Sequence, residues 1–144
     1  MTIESKIIDV VPDGEYKGTV YEQRVIVEFP DGTQIGLFDY DLHADPEMVG
    51  KTKSVSIFAY IPREATVCNG EPGIIPNAEE PLEWKHHVYC GKVTTVEEDG
   101  TVLLDVGYGD VRVDSDVHEV VEHQIQENHF LKVRVNRSDL VGLS

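Results

Sequence analysis

The sequence predicts a mostly β fold with one short helix. Val and Ile recur at every second position in several short runs, and Gly, Asp or Pro bounds each run. This alternation is typical of strands joined by tight turns. A second observation is that the order of the runs is similar in the two halves of the chain. Only one stretch, in the second half, has an extended apolar stripe of helical period.

The first half is predicted to form a meander of strands. The predicted strands span residues 3–11, 16–29, 33–40, 53–61 and 65–68. A turn is expected at residues 12–15, and Pro30-Asp31-Gly32 is expected to form a hairpin because Asp-Gly supplies positive φ angles. Between the third and fourth strands, Asp45 as cap, Pro46 at the first helical position and Gly50 as stop predict a single helical turn.

The second half repeats this order. Its predicted strands span residues 87–96, 101–106, 111–113 and 129–136. A helix is expected near residues 116–127, because Val117, Val120, Val121 and Ile125 form one apolar stripe. Asp116 is the expected N-cap of this helix, and Glu119 follows it as in a capping box.

Residues 69–85 contain Pro72, Pro76 and Pro81 and interrupt the strand pattern, so we predict a connector there. The predicted organisation is a first half at 1–68, the connector at 69–85, and a second half at 86–144.

A pattern of Asp-x-Asp-aliphatic-His occurs in both halves and suggests an internal repeat. The strand order resembles small Greek-key barrels of the oligonucleotide/oligosaccharide-binding (OB) type, as tandem or intertwined halves. That architecture by itself implies no function.

The charge disfavours some classes of partner. The chain has 27 acidic and 12 Lys or Arg residues, a formal net charge of −15, spread evenly along its 144 residues. Such a surface repels phosphates, which disfavours non-specific binding to nucleic acids or anionic lipids. Either adaptation to high salt or a basic partner would explain this excess of acidic residues.

No apolar run reaches the roughly 20 residues of a membrane span, and no signal peptide is recognised, so a cytoplasmic location is expected.

Two sets of residues have the composition of metal ligands. In extended backbone Asp39, Asp41 and His43 share one face, and the second half repeats this with Asp114, Asp116 and His118. Helix capping by the aspartates is the favoured interpretation. Cys68, His86, His87 and Cys90 match the inventory but not the spacing of a zinc site, and two unpaired thiols are expected. No cofactor and no catalytic motif is predicted.

Two strands are apolar on both sides, which a sheet with one buried face does not require. The aromatic residues Phe38, Tyr40, Phe58 and Tyr60 therefore predict a covered face. The cover is the other half of the chain, a second subunit or a ligand. A separate group of cations, Arg112, Lys132, Arg134 and Arg137, is expected either to be solvated or to form an anion- or nucleic-acid-binding face.

These observations predict a non-enzymatic binding or assembly module that acts through protein contact, with a protein partner or a homo-oligomer. Single-stranded nucleic-acid binding is the first alternative. Metal-dependent activity at the Asp-x-Asp-x-His segments is the second.

Overall fold

A computed structural model describes residues 2–144. They form a single nine-stranded sheet with two helical turns, so the mostly β prediction is confirmed. The strands are β1 Ile3–Tyr16, β2 Thr19–Glu28, β3 Gln34–Asp39, β4 Thr52–Cys68, β5 Gly73–Ile75, β6 Val88–Val96, β7 Val102–Asp105, β8 Asp110–Val113 and β9 Phe130–Leu143. A 3-10 turn, Pro46–Met48, precedes β4, and the helix α1, Val117–Val120, precedes β9.

The pairings close two circuits that share β4 and β9. The first runs β1-β2-β3-β9-β4 and returns to β1, and the second runs β6-β7-β8-β4-β9 and returns to β6. In each circuit the third strand pairs in parallel with a strand from the other half, β3 with β9 and β8 with β4. The long antiparallel pair of β4 and β9 lies at the centre. The domain boundary at 69–85 remains a prediction, but β9 pairs on both sides of it.

The first hairpin differs from its prediction. β1 continues through the expected turn at 12–15, and the chain reverses at Lys17 and Gly18, whose φ angles are 50° and 80°. Pro12 is accommodated because β1 pairs with β4 only at residues 3–6, so beyond them one edge of β1 needs no amide donor. A register shift between Pro12 and Gly14 absorbs the irregularity. The hairpin at Gly32, with φ of 88°, is as predicted.

The helix expected near 116–127 is wrong in extent. Only Val117–Val120 is helical, and Val121 returns to extended backbone. Asp116 makes no capping hydrogen bond through its side chain, and β-branched valines favour helix weakly. Ile125 is buried in the core without belonging to a helix. The other predicted turn is confirmed, because the Asp45 side chain accepts a hydrogen bond from the Glu47 amide at 2.9 Å.

One continuous core fills both circuits. It is made almost wholly of Val, Ile and Leu from the inward-facing strand positions. Tyr89 lies fully buried within it and donates a hydrogen bond from its hydroxyl to Ser138 Oγ at 2.6 Å. Burial raises the pKa of Tyr89. Within residues 2–144, no helix has the length and apolarity needed to cross a membrane.

Candidate interaction face

The four predicted aromatic residues come together on the outer side of β3, β9 and β4. Phe38 and Phe58 both lie opposite Asp139 of β9, one from each side. The Phe58 and Tyr60 rings stack with centroids 4.3 Å apart, and Phe38 and Tyr40 lie 6.2 Å apart. Tyr40 is 68% exposed, whereas the other three rings are half-buried. The rings are therefore not covered completely by the chain itself.

Arg137 joins the two aromatic pairs. Its guanidinium carbon lies 5.0 Å from the Tyr60 ring centroid and 5.4 Å from that of Phe38, within the range of cation–π attraction. The same guanidinium donates to both carboxylate oxygens of Asp139, at 2.7 Å and 3.0 Å. Burial raises the pKa of Asp139, and the nearby charge of Asp41 raises it further, while Arg137 opposes both.

Arg112 extends this surface onto β8, because it lies directly opposite Phe58 in the parallel pair. We call the six residues Phe38, Tyr40, Phe58, Tyr60, Arg112 and Arg137 the aromatic–arginine face. Two concavities lie on it, of about 370 Å³ and 540 Å³, and Tyr60 and Val141 line both. The structure thus unites the predicted aromatic set with two of the four predicted cations.

The other two cations, Lys132 and Arg134, lie elsewhere on β9. They line a separate concavity with Glu64, whose carboxylate is 2.9 Å from the Arg134 guanidinium. The division has a simple cause. Strand alternation places even-numbered Lys132 and Arg134 on one side of β9 and odd-numbered Arg137 on the other. The core-facing residues are odd-numbered as far as Val135, and beyond it Ser138 and Leu140 are the most buried. Arg137 is therefore outward-facing on the opposite side of the strand, and the predicted basic group does not form one face.

The polypeptide between β5 and β6 borders the face. Residues 76–86, which we call the strap, place the Trp84 ring 5.4 Å from that of Phe38. The Ser138 amide donates to the Trp84 carbonyl at 2.9 Å, and Lys85 forms an isolated bridge with Arg137. Arg24 of β2 contacts Glu83 at 2.6 Å. The strap therefore fixes one edge of the aromatic–arginine face.

Comparison with known proteins adds no assignment. No protein-family model, curated protein or solved structure matches this chain.

The first Asp-x-Asp-x-His segment is arranged as a loop support. Asp39 is fully buried and accepts hydrogen bonds from the amides of His43 and Ala44 and from Gln23 Nε2, all within 2.9 Å. Asp41 points to solvent, with His43 Nε2 3.8 Å from its carboxylate. Across the part of the chain that the structure describes, no group of three or more His, Cys, Asp and Glu is placed to hold a metal ion.

The second Asp-x-Asp-x-His segment and the cysteines do not form metal sites among residues 2–144 either. Asp114 accepts weakly from the Asp116 amide at 3.5 Å, and His118 Nε2 lies 2.8 Å from the Gly100 carbonyl oxygen. Cys68 and Cys90 are both free thiols, and burial raises the pKa of Cys90. His87 is directed into the strap rather than toward either cysteine.

Sequence reasoning missed Asp139 and Trp84 as members of this region. The sequence pattern predicts a last strand that ends at residue 136, whereas β9 continues to Leu143 and places Arg137 and Asp139 at i, i+2 on one strand face. Extending the alternation through residue 143 would have found it. Trp84 carried no such signal, because its contact with Phe38 joins residues 46 positions apart.

Proposed function

We propose that this protein is a non-enzymatic binding module that engages a basic partner protein through the aromatic–arginine face. The observation that carries the proposal is the exposure of Tyr40 beside a concavity walled by Phe38, Tyr60 and Arg137. Aromatic residues and arginine are the types enriched at the centres of protein interfaces. Leu42, Ile61 and Val141 add exposed apolar surface to the same chain segments.

Charge argues for a basic partner rather than a second copy. Two arginines of the face lie beside three carboxylates: Asp139 pairs with Arg137, Glu97 lies 3.7 Å from Arg112, and Asp41 lines the smaller concavity. The molecule as a whole carries −15. Two such molecules repel each other, whereas a basic protein is steered toward the surface.

The finer fold prediction is part of this proposal, although the architecture by itself implies no function. We infer that each strand circuit is a small OB-like Greek-key barrel, and that the halves are intertwined because each uses a long strand of the other. The two free thiols fit a reducing, cytoplasmic location.

Site-specific photo-crosslinking tests the proposal. With p-benzoylphenylalanine at position 40, we expect a cross-link to one basic protein in an extract of the source cells. Position 21 is the matched control, because Tyr21 is also exposed, at 58%, but lies on the β1–β2 hairpin. The cross-linked protein, once purified, should bind the Tyr40→Ala variant at least about tenfold more weakly and the Tyr21→Ala variant normally. Equal cross-linking from both positions, or equal affinity of both variants, would contradict the proposal.

Single-stranded nucleic acid is a second candidate, because Arg112 and Arg137 accompany stacking aromatics on one face. A fluorescein-labelled oligothymidylate is the appropriate probe. This candidate requires binding at low ionic strength that weakens steeply with added salt and is lost in Tyr40→Ala. Absence of binding at low salt rejects it.

A further inference from the structure

His87, the residue that follows the strap, is a buried histidine whose hydrogen bonds to the strap are compatible only with its neutral form. His87 is fully buried. The backbone amide of Asn77 donates to His87 Nδ1 at 3.0 Å, so that nitrogen carries no proton. His87 Nε2 lies 2.5 Å from the carbonyl oxygen of Glu83, which can only accept, so Nε2 is the protonated nitrogen. The ring thus contacts the strap at two places, Asn77 and Glu83.

The remaining contacts of the strap hold it tightly on the sheet. A Cβ built on Gly36 of β3 would lie 2.2 Å from the carbonyl oxygen of Leu82, so the strap backbone fits only against glycine. Arg24 of β2 pairs with Glu83. Beyond the ring, the Trp84 side chain packs on Phe38 of the aromatic–arginine face.

We propose that the strap is an acid-released cover: protonation of His87 detaches residues 76–86 and withdraws Trp84 from Phe38. A protonated Nδ1 would face the Asn77 amide donor to donor, and the buried ring would carry a charge. Below the pH at which His87 gains a proton, Nδ1 can no longer accept the hydrogen bond from the Asn77 amide. Because Phe38 belongs to the aromatic–arginine face, an effect of this release on partner binding rests on the proposed function. The release itself does not.

The electrostatic surroundings agree with this direction. Burial lowers the pKa of His87, the carbonyls of Glu83 and Gly36 oppose this, and the charge of His86 adds to it. The charged groups around the ring are Glu83 and His86 of the strap, with Arg24 of β2 reached through Glu83. Since the docked state binds the proton more weakly than the released state, docking is fully favoured above the ordinary histidine pKa of about 6.5 and is weakened as the pH falls below it.

The chain provides its own probe, because Trp84 is its single tryptophan. We expect the Trp84 emission to shift to longer wavelength as the pH is lowered from about 7.5 to about 5, while the far-UV circular dichroism of the sheet is retained. Hydrogen exchange of amides 77–86 should rise at least about tenfold over the same range, with β4 and β9 unchanged. A shift that coincides with loss of the sheet signal, or no shift at all, would overturn the proposal.

Variants assign the transition to His87. His87→Gln, whose side chain can donate and accept hydrogen bonds but not titrate, should abolish the pH-dependent shift of the Trp84 emission. His86→Gln, at the exposed neighbouring position, should retain this shift.

If His87→Gln does not fold, Gly36→Ala provides an independent test. That variant displaces the Leu82 carbonyl, so its emission should already be shifted at pH 7.5 and change little on acidification. A normal transition in either variant refutes the mechanism. Failure of the crosslinking test, with the fluorescence shift intact, would reject the proposed function alone.

Discussion

The guanidinium of Arg137 stacks on the ring of Tyr60, its register partner across β4 and β9, at 5.0 Å. This pair lies where the two strand circuits meet, and it connects Phe58 and Tyr60 on one side to Phe38 on the other. Its geometry explains why the aromatic residues stand on the outside of the sheet without being fully solvated. Arg137 therefore supplies part of the cover that the sequence predicts for these rings.

Removal of Arg137 should destabilise the protein in a pH-dependent way. Asp139 is only 8% exposed, and Arg137→Ala leaves its carboxylate without its bidentate partner. We expect the free energy of unfolding to fall by about 1–3 kcal/mol near neutral pH. The loss should shrink in acid, because the pKa of Asp139 is already raised and rises further without Arg137, so the carboxyl becomes protonated there.

Urea unfolding of Arg137→Ala and wild type at several pH values measures this difference. Arg63→Ala, at an exposed position of β4, is the control and should change stability little. Adding Asp139→Asn to Arg137→Ala should recover part of the loss, since a neutral amide is less costly to bury unpaired than a carboxylate. A loss independent of pH would contradict the role given to Asp139.

The hydroxyl of Tyr89 should contribute measurably to stability. Tyr89→Phe leaves Ser138 buried without the 2.6 Å hydrogen bond, and we expect a loss of about 1–2 kcal/mol. Ser138→Ala should cost a similar amount, because the Tyr89 hydroxyl then has no partner. In the double variant the combined loss should be well below the sum. Simple additivity in chemical denaturation would show that the two groups do not interact.

Gly91 should tolerate no side chain. A Cβ at this position of β6 would lie 2.0 Å from the carbonyl oxygen of Asp105 on β7. Because the obstruction is backbone, Gly91→Ala should destabilise the fold by about 3 kcal/mol, the upper end for overpacking, in thermal or denaturant unfolding. Gly142→Ala on β9 is the matched control, because its Cβ would meet no backbone atom and only the Ser56 side chain, at 3.2 Å. Equal stability of the two variants would contradict the packing of β6 on β7.

The overall stability should depend on pH through His87. Its pKa is lowered in the folded protein mainly by burial, so the unfolded chain binds more protons just below pH 6.5. This contribution is fully present above about pH 6.5 and is lost as the pH falls below it. We therefore expect the wild type to lose more stability than His87→Gln between about pH 7.5 and about pH 5. Parallel pH profiles of the two proteins would contradict this.

Much of the fold could be predicted from the sequence because its signals are local. The Asp45, Pro46 and Gly50 turn, the Gly32 hairpin and most strand positions follow from residue types within a few positions of each other. The helix near 116–127 failed for the opposite reason. Val117 and Ile125 are both buried, as the stripe predicts, but the helix ends at Val120 and core packing holds Ile125 without it.

The candidate face could be predicted only in its parts. The strand alternation selected Phe38, Tyr40, Phe58 and Tyr60, but the association of Arg112 and Arg137 with them depends on pairings between distant strands. Nearness in sequence, in contrast, groups Arg137 with Lys132 and Arg134. That grouping fails because odd- and even-numbered residues of β9 lie on opposite sides of the strand. The core-facing side changes between Val135 and Ser138, which leaves Arg137 outward-facing.

The sequence by itself determined the β character, most of the turns, the acidic composition and the aromatic residues that lie on the outer side of the sheet. Each of these is set by the chemistry and conformational preference of neighbouring residues. Only the tertiary structure decided that β4 and β9 are shared by both circuits, that Arg137 lies between two aromatic pairs, and that His87 holds the strap near Phe38. These relationships join residues far apart in the chain, and burial and hydrogen-bond pairing across the whole sheet select them.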